Sequence, residues 1–378
     1  MNSKKIRVLI ADDSAFMRKV LSDILGADPA LEVAATARNG REACDKAREL
    51  KPDVLTLDVE MPVMDGLAAL EEIMRVNPMP VVMLSALTQT GAQATMDALA
   101  KGAIDFISKP GGSISININD SAREIVSKVK MAARVNMKQI IPLAQTPSAP
   151  KIPAKAPVKA SVTASAPPVK PAAGGEAGVA RPGAGVRSKL PIVAIGTSTG
   201  GPKALNEMMR GLPGDLGAGV LIVQHMPAGF TKSLAQRLNS ACLLTVKEAE
   251  DGEEVKRNCA YVAPGDYHLE LKEVNRVPVV ALSQKPPVNG HRPSVDVLME
   301  SVLPYQGRRV AVIMTGMGSD GAKGITELRK KGVVTIGESE ETCVVYGMPK
   351  SAFQMGGIDY ELPVGRIADA IARAVAKE

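Results

Sequence analysis

Short apolar runs alternate with helical patterns along the first part of this chain. Five runs rich in β-branched residues indicate buried strands, and a stretch with helical spacing follows each of them. The strand patterns are 6–11, 33–37, 54–57, 81–84 and 104–107, and the helical patterns are 14–25, 40–50, 66–77, 91–101 and 121–137. Because alternating strands and helices build parallel sheets, residues 1–135 are predicted to form a doubly wound α/β domain.

A second doubly wound α/β domain is predicted for residues 190–378, where strand patterns recur with helices after several of them. These patterns are 191–195, 219–223, 259–263, 277–282, 310–315 and 333–337. Residues 136–189 lie between the domains and are rich in Pro, Ala and Lys, which is typical of an extended, partly stiff linker. The lysines are spread out, and this favours a linker over a polybasic docking tail.

The basic character of the chain comes from this linker. Seven basic residues and a single acidic one lie within 142–189, which accounts for the whole formal charge of +6. The two domains are therefore close to neutral, and aromatic residues make up only 2% of the chain, with no Trp. We expect no nucleic-acid partner, because such proteins use a basic surface or an aromatic stacking platform.

The four cysteines are far apart and form no C-x-x-C pair, so we expect reduced thiols and a cytoplasmic location. The apolar stretch after Lys4 and Lys5 ends at Asp12, which is too short for a signal peptide. No segment approaches the roughly 18 apolar residues that a membrane span needs. We therefore expect no membrane insertion.

Polar side chains follow four strands of the first domain. Asp12 and Asp13 follow the first strand, Asp58 the third and Ser85 the fourth, and Lys109 comes just after the fifth. The carboxyl ends of parallel strands share one edge, so these groups should converge there. Three carboxylates need a hard cation such as Mg²⁺ between them, and the lysine suits an incoming phosphoryl group. One aspartate alone would indicate a helix cap, but the joint placement favours Asp58 as a carboxylate nucleophile.

The first domain resembles a response-regulator receiver domain over residues 5 to about 125, which implies a sheet of flavodoxin-like order. The resemblance is carried by L-I-A-D-D-S at 9–14, D-V-E-M-P-V-M-D-G at 58–66, L-S-A at 84–86 and K-P at 109–110. It implies that a chemotaxis histidine kinase phosphorylates Asp58. It also implies that Mg²⁺ is held by Asp12, Asp13, Asp58 and the backbone carbonyl of Glu60.

The same resemblance gives roles to three further residues. Ser85 and Lys109 would contact the phosphoryl oxygens. Phe106 would occupy the aromatic switch position, with a simple core role as the alternative.

A serine lies in a glycine-rich turn at the start of the second domain. Ser198 belongs to G-T-S-T-G-G at 196–201, directly after the strand pattern 191–195, and Pro202 begins the next helical pattern. Backbone N–H groups and the positive end of a helix point into such a turn. The turn therefore suits either a serine nucleophile or a bound phosphate.

A serine nucleophile needs a base, and the chain has only three histidines. His225 follows the strand pattern 219–223, so it would share an edge with Ser198 if the two strands were neighbours. His268 and His291 are each compatible with a loop histidine bonded to backbone. We therefore predict His225 as the base.

Asp320 follows another strand pattern in a glycine-rich loop and would orient the base, with a helix N-cap as its alternative role. The order Ser198, His225, Asp320 differs from the Ser…Asp…His order of α/β-hydrolases, which excludes that family despite its G-x-S-x-G pattern. A dinucleotide site is also disfavoured. The second strand ends in Gln224 rather than an acid, and the glycine spacing is not G-x-G-x-x-G.

The second domain resembles the catalytic domain of the chemotaxis protein-glutamate methylesterases over residues 190 to about 376, which implies a Rossmann-like fold. The stretches that carry the resemblance are 196–201, 224–231, 263–266, 291–296 and 315–321. Thr197 and Ser319 depart from the family pattern, where Ala and Asn are expected. Both are small or polar flanking positions, so little effect on the chemistry is expected.

This second resemblance implies an esterase without a cofactor, with Ser198 as nucleophile and backbone N–H groups of Thr199 and Met317 around the oxyanion. Its substrates would be γ-methyl glutamate esters on the cytoplasmic helices of methyl-accepting chemoreceptors, and receptor glutamines for deamidation. The receiver is expected to cover the esterase site until Asp58 is phosphorylated.

Two other classes of function remain as alternatives at this point. The second domain could be a phosphorylation-controlled binding module that only recognises receptors or a nucleotide. A DNA-binding regulator is disfavoured, because strands and glycine-rich turns follow the linker where a helix-turn-helix needs two short helices.

Overall fold

The computed structural model describes residues 4–109, 118–137 and 189–376. The predicted linker, 136–189, lies almost wholly outside these residues, and so does Pro110 of the K-P motif. The two predicted α/β domains are both present within a single compact unit.

The N-terminal sheet has five parallel strands in the order β2-β1-β3-β4-β5, the flavodoxin-like order. Its strands are β1 (Ile6–Ala11), β2 (Leu31–Ala37), β3 (Val54–Asp58), β4 (Val81–Ser85) and β5 (Asp105–Ser108). Its helices are α1 (Ala15–Gly26), α2 (Gly40–Leu50), α3 (Gly66–Val76), α4 (Gln89–Ala100) and α5 (Ile118–Ala132). The predicted doubly wound fold is confirmed, with element ends that differ by a few residues.

The C-terminal sheet has seven parallel strands in the order β14-β13-β12-β6-β7-β9-β8. These strands are β6 (Ile192–Thr197), β7 (Gly219–Gln224), β8 (Thr245–Glu248), β9 (Cys259–Val262), β12 (Arg309–Ile313), β13 (Val334–Glu338) and β14 (Tyr360–Leu362). The helices are α6 (Gly201–Arg210), α7 (Phe230–Ala241), α8 (Val295–Val302), α9 (Ala322–Lys330), α10 (Met348–Gln354) and α11 (Val364–Ala376). The second parallel-sheet domain is confirmed as well.

One strand pattern of the second domain belongs to a different sheet. Residues 277–282 lie in β11 (Val277–Ser283), which pairs antiparallel with β10 (His268–Val274) in a two-stranded sheet. The sequence did not separate this strand from the parallel ones, because its apolar and β-branched content is the same. The turn at Asn275 and Arg276, both with positive φ, is what returns the chain as a hairpin.

The central strands are buried on both faces. All six residues of β6 are buried, and so are all six of β7, because helices cover the sheet on each side. This explains why the strand patterns are continuous apolar runs rather than alternating ones. The amphipathic α6 buries Leu205, Met208 and Met209 and packs against α11. Truncation of one such side chain to Ala lowers the free energy of unfolding by about 2–5 kcal/mol.

The helices of the two sheets also pack on each other. Helix α4 of the N-terminal sheet contacts α6 and α7 of the C-terminal sheet, and one apolar cluster contains residues of both. Among the described residues, no helix is long and apolar enough to cross a membrane.

A buried carboxyl group, Glu338, ends β13. It accepts hydrogen bonds from the Thr315 N–H (2.8 Å) and the Thr342 hydroxyl (2.9 Å). Burial nevertheless raises the pKa of Glu338 to about 7. The folded chain therefore keeps this proton to a higher pH than the unfolded chain, and the stability associated with it falls as pH rises through this range.

Glu338→Gln removes this titration. Relative to wild type, its free energy of unfolding should rise by about 3 kcal/mol between pH 4.5 and 7 and then stay level, as urea unfolding across that range can measure. Exposed Asp369 on α11 offers a control, since Asp369→Asn should follow the wild-type pH profile. A Glu338→Gln profile parallel to wild type would contradict the buried-proton account.

Candidate active site and phosphoacceptor site

Three adjacent strands of the C-terminal sheet carry the predicted catalytic residues at their carboxyl ends. Strand β6 pairs with β7 on one side and with β12 on the other. Thr197 is in register with Gln224, so Ser198 and His225 each directly follow a paired position. From β6 the strands that come next in the chain are added on the β7 side of the sheet, whereas β12 and the later strands are added on the other side. The point between β6 and β12 is therefore a topological switch point, where open α/β sheets bind their ligands.

The turn that holds Ser198 is fixed by backbone hydrogen bonds. The Ser198 N–H donates to the Thr315 carbonyl (3.0 Å), and the Gly201 N–H donates to the Ser198 carbonyl (2.8 Å). Gly200 has φ +78°, and a Cβ there would meet the Cβ of Val344 at 2.5 Å. The glycine therefore lets the backbone turn sharply into α6, which leaves Ser198 at the mouth of the turn.

His225 and Asp320 are directly bonded. His225 Nε2 lies 2.8 Å from Asp320 Oδ2, while the buried Nδ1 has no hydrogen-bond partner among the described residues. The ionised carboxylate requires the proton on Nε2, which leaves Nδ1 as the acceptor. The structure thus brings His225 and Asp320 together and puts Ser198 on the neighbouring strand end, without a Ser198–His225 hydrogen bond. Such bonds are often formed only with substrate present.

Asp320 is surrounded by donors from residues 289–296. Its Oδ1 accepts from the Ser294 hydroxyl (2.8 Å) and the Asn289 amide (2.8 Å), and its Oδ2 from the Val295 N–H (2.6 Å). Burial alone would raise the pKa of Asp320, but the hydrogen bonds, above all that from His225, hold it well below its usual range. The alternative role as a helix N-cap is wrong, because Gly321 caps α9 without a side-chain bond.

The other two histidines differ sharply in their surroundings. His268 is fully buried, and its ring nitrogens bond the Ser294 N–H (3.2 Å) and the Pro286 carbonyl (3.1 Å). This is the backbone-bonded histidine that the sequence allowed. His291 instead stacks on the His225 ring, with centroids 3.8 Å apart and planes 12° from parallel. Sequence reasoning missed this contact, because the Asn289-Gly290 pair just before it indicates a tight turn but not what the His291 ring packs against.

The predicted oxyanion donors flank the serine. Among the described residues, the backbone N–H groups of Thr199 and Met317 have no hydrogen-bond acceptor. Thr315 fixes this region, because its hydroxyl donates to the Thr199 carbonyl (2.9 Å) and accepts from the Val345 N–H (3.0 Å). Two free donors beside a nucleophile are what an oxyanion hole requires.

The acidic groups of the N-terminal sheet converge as predicted. Ligand atoms of Asp12, Asp13 and Asp58 all lie within 4.8 Å of one another. Lys109 Nζ is 2.6 Å from Asp58 Oδ2 and 3.1 Å from Asp12 Oδ2. Burial raises the pKa of Asp58 to about 6, although Lys109 opposes that shift. Lys109 is the cation that Asp12 Oδ2 meets among the described residues, and the three converging carboxylates make an oxygen-rich cluster that suits a divalent cation.

Three other predicted residues have defined positions around this cluster. The Glu60 N–H donates to Asp58 Oδ1 (3.4 Å). The Ser85 hydroxyl donates to the Gly91 carbonyl (3.1 Å), so it would have to rotate to reach a phosphoryl oxygen. Phe106 is buried and stacks on Phe230 of α7 at 4.6 Å, so it packs against the other sheet rather than only its own core.

Polar contacts join the N-terminal sheet to the serine turn. The Thr199 hydroxyl donates to Asp105 Oδ2 over 2.6 Å, and this pair is buried. Asp105 directly precedes Phe106, and the Lys128 ammonium lies 3.6 Å from Asp105 Oδ1. Thr199 follows the predicted nucleophile Ser198, and Asp105 precedes the predicted switch residue Phe106. Their hydrogen bond therefore links the two predicted sites directly.

Further contacts lie around this connection. The Ser127 hydroxyl donates to the Met317 sulfur (3.4 Å), and Arg237 of α7 pairs with Asp97 of α4 at 2.7 Å. Side chains of the N-terminal unit of strands and helices thus contact both residues that are predicted to hold the oxyanion.

Comparison with known proteins gives matches over both sheets. A family model for the CheB methylesterase matches residues 193–371, and one for the response regulator receiver domain matches residues 8–117. A protein-glutamate methylesterase/protein-glutamine glutaminase of Pyrococcus abyssi is 46% identical over 99% of this chain and 95% of its own length. A protein of the same name from Symbiobacterium thermophilum is 48% identical over 98% of each chain.

The exposed Asp13 gives a test of the acidic cluster as a cation site. Asp13→Asn removes one anionic oxygen ligand, so the Mg²⁺ affinity of the full chain should fall about tenfold or more, as measured by titration calorimetry. Asp45→Asn, an exposed change on α2, should leave the affinity unchanged. Equal dissociation constants for the two variants would rule out Asp13 as a ligand.

Proposed function

Because this chain belongs to the protein-glutamate methylesterase/protein-glutamine glutaminase family and joins a receiver domain to a methylesterase domain, we propose that it demethylates chemoreceptors during chemotaxis adaptation. The substrates are γ-methyl glutamate esters on cytoplasmic receptor helices. The receiver comprises residues 1–135 and the catalytic domain residues 190–378, joined by the segment 136–189. A chemotaxis histidine kinase serves as the phosphodonor.

The bonded pair His225–Asp320 beside Ser198, at the switch point of the sheet, is the observation that carries this proposal. Ser198 Oγ attacks the ester carbonyl carbon while its proton moves to His225 Nδ1. The imidazolium that forms is stabilised by Asp320, which holds the Nε2–H. The proton then passes to the methoxy group, which leaves as methanol, and a glutamyl ester of Ser198 remains.

The second half of the reaction uses the same groups. Water gives a proton to His225 Nδ1 and attacks the acyl carbon, and Ser198 leaves with that proton. The N–H groups of Thr199 and Met317 stabilise the negative oxygen in both steps. A glutamine side chain reacts in the same way with ammonia as the leaving group, which gives the glutaminase activity.

Phosphorylation of Asp58 controls access to this site. The contacts of Asp105 with Thr199 and of Ser127 with Met317 support a receiver that covers the serine in the unphosphorylated chain. A phosphoryl group adds about −1.5 to −2 charges next to Lys109, and attraction of Ser85 and Lys109 to it shifts strand β5, which carries Phe106. The contacts of Asp105 with Thr199 and of Ser127 with Met317 are then broken, and the receiver no longer covers the serine.

Asp12, Asp13 and Asp58, with the Glu60 backbone carbonyl, are the groups that we propose hold Mg²⁺. Bound there, Mg²⁺ would offset the negative charge of the incoming phosphoryl group. The esterase chemistry itself uses only side chains and backbone of the catalytic domain.

Ser198→Ala should abolish methanol release from a methylated chemoreceptor fragment, because no nucleophile remains. Asp320→Asn should reduce kcat by roughly 10³–10⁴-fold, since the base loses its orienting charge. Asp215→Asn, on an exposed loop, is the matched control and should retain wild-type turnover. Methanol release by Ser198→Ala at the native rate would refute the assignment of the nucleophile.

The Arg237–Asp97 pair allows the covering contact to be tested in the full chain. Arg237→Asp sets two carboxylates against each other, so turnover without a phosphodonor should rise about two- to fivefold. Adding Asp97→Arg should restore the pair and return turnover to the wild-type level. Lys330→Asp, a charge reversal at an exposed position of α9, should leave turnover unchanged. Unchanged or lower turnover in Arg237→Asp would contradict the covering role of the receiver.

A further inference from the structure

His291 contacts the proposed base through the face of its ring. The rings of His291 and His225 are separated by 3.8 Å between centroids and are 12° from parallel, a close stacked arrangement. The His225 ring is held at one edge by the Nε2–Asp320 bond, and a single bond at one atom leaves the ring free to tilt about it. A second ring against its face removes that freedom.

A two-residue hairpin turn presents His291. Val288 and His291 exchange backbone hydrogen bonds of 3.1 and 2.9 Å, and Asn289 and Gly290 between them have φ +53° and +79°. This is the geometry of a tight hairpin turn with Asn-Gly at its centre. The Asn289 side chain donates to Asp320 Oδ1 at 2.8 Å. The same turn therefore fixes both His225, through His291, and Asp320, through Asn289.

His291 is uncharged in its folded position. Burial, with a smaller contribution from the neighbouring His225, lowers the pKa of His291 to about 4. The other groups that face it are Asp320 and, from α5, Glu124 and Lys128. A neutral ring can lie against an imidazolium, as in other contacts of a cation with an aromatic face, whereas a charged ring would repel it.

We propose that His291 is a positioning residue of the esterase site, whose ring fixes the plane of His225 so that Nδ1 faces Ser198. This inference rests on the proposed esterase function. His291 acts through His225 and does not itself contact the substrate in this proposal. Its expected effect is therefore on kcat rather than on KM, because a small misplacement of a catalytic group slows the chemical step about 10²-fold.

Four full-chain variants separate this role from simple packing. His291→Ala removes the ring, His291→Phe keeps a neutral ring of similar shape, and His291→Lys brings a cation to the same face. Arg292→Ala changes the next residue, whose side chain pairs with Asp266 and bonds the carbonyls of Gln284 and Lys285. Melting temperatures of all four are recorded to show that each is folded.

Two readouts are taken with the phosphodonor present. One is kcat and KM for methanol release from a methylated receptor fragment. The other is the rate at which a fluorophosphonate labels Ser198, which reports activation of the nucleophile without any receptor.

The expected result is a kcat for His291→Ala that is about 10- to 100-fold lower with KM within about threefold, and a labelling rate that falls with it. His291→Phe should stay within about threefold of wild type in both readouts. The kcat and the labelling rate of His291→Lys should be no higher than those of His291→Ala. Arg292→Ala should keep the wild-type kcat.

Three outcomes would overturn the proposal: full activity in His291→Ala, a loss in His291→Phe as large as in His291→Ala, or an equal loss in Arg292→Ala. If wild type labels Ser198 but releases no methanol, the receptor-esterase function fails while the labelling series still decides the role of His291. If wild type does neither, both proposals fall together.

Discussion

The buried carboxylate of Asp320 is the constraint around which the catalytic domain is arranged. A charge removed from water is tolerated only where hydrogen-bond donors replace the lost solvent. Asp320 receives them from His225 on the β7 side and from Ser294, Val295 and Asn289 on a separate segment. Satisfying this one carboxylate therefore brings together the ends of β7 and β12 and the chain before α8. The serine turn after β6 lies between those two strand ends, so it shares the same edge.

The link between the two sheets rests on a second buried polar group. Asp105 accepts from the Thr199 hydroxyl inside the contact region, and the Lys128 ammonium lies near its other oxygen. Phe106, the next residue along the chain, is buried and stacks on Phe230. Such a contact is sensitive to small movements, because a buried carboxylate that loses a donor is left poorly compensated. A change at the phosphoacceptor edge can therefore reach the serine turn through residues that are adjacent in sequence.

The sequence predicted the strands best where burial on both faces made them continuous apolar runs, as in β6 and β7. It could not separate β11 from these, since pairing direction depends on the hairpin turn and on distant neighbours rather than on the strand itself. The strand ends carrying Ser198, His225 and Asp320 were predicted because parallel strands direct their carboxyl ends to one edge. The stack of His291 on His225 was not predicted, because it joins residues 66 positions apart that share no strand edge.

The sequence by itself determined the two parallel-sheet domains and the residues at their carboxyl edges, because local apolar patterns and glycine-rich turns specify where strands end. Only the tertiary structure decided which nitrogen of His225 faces Asp320, that Ser85 turns toward Gly91, and that Thr199 bonds Asp105. These features depend on side-chain rotamers and on the packing of segments far apart in the chain. A local pattern carries no information about either.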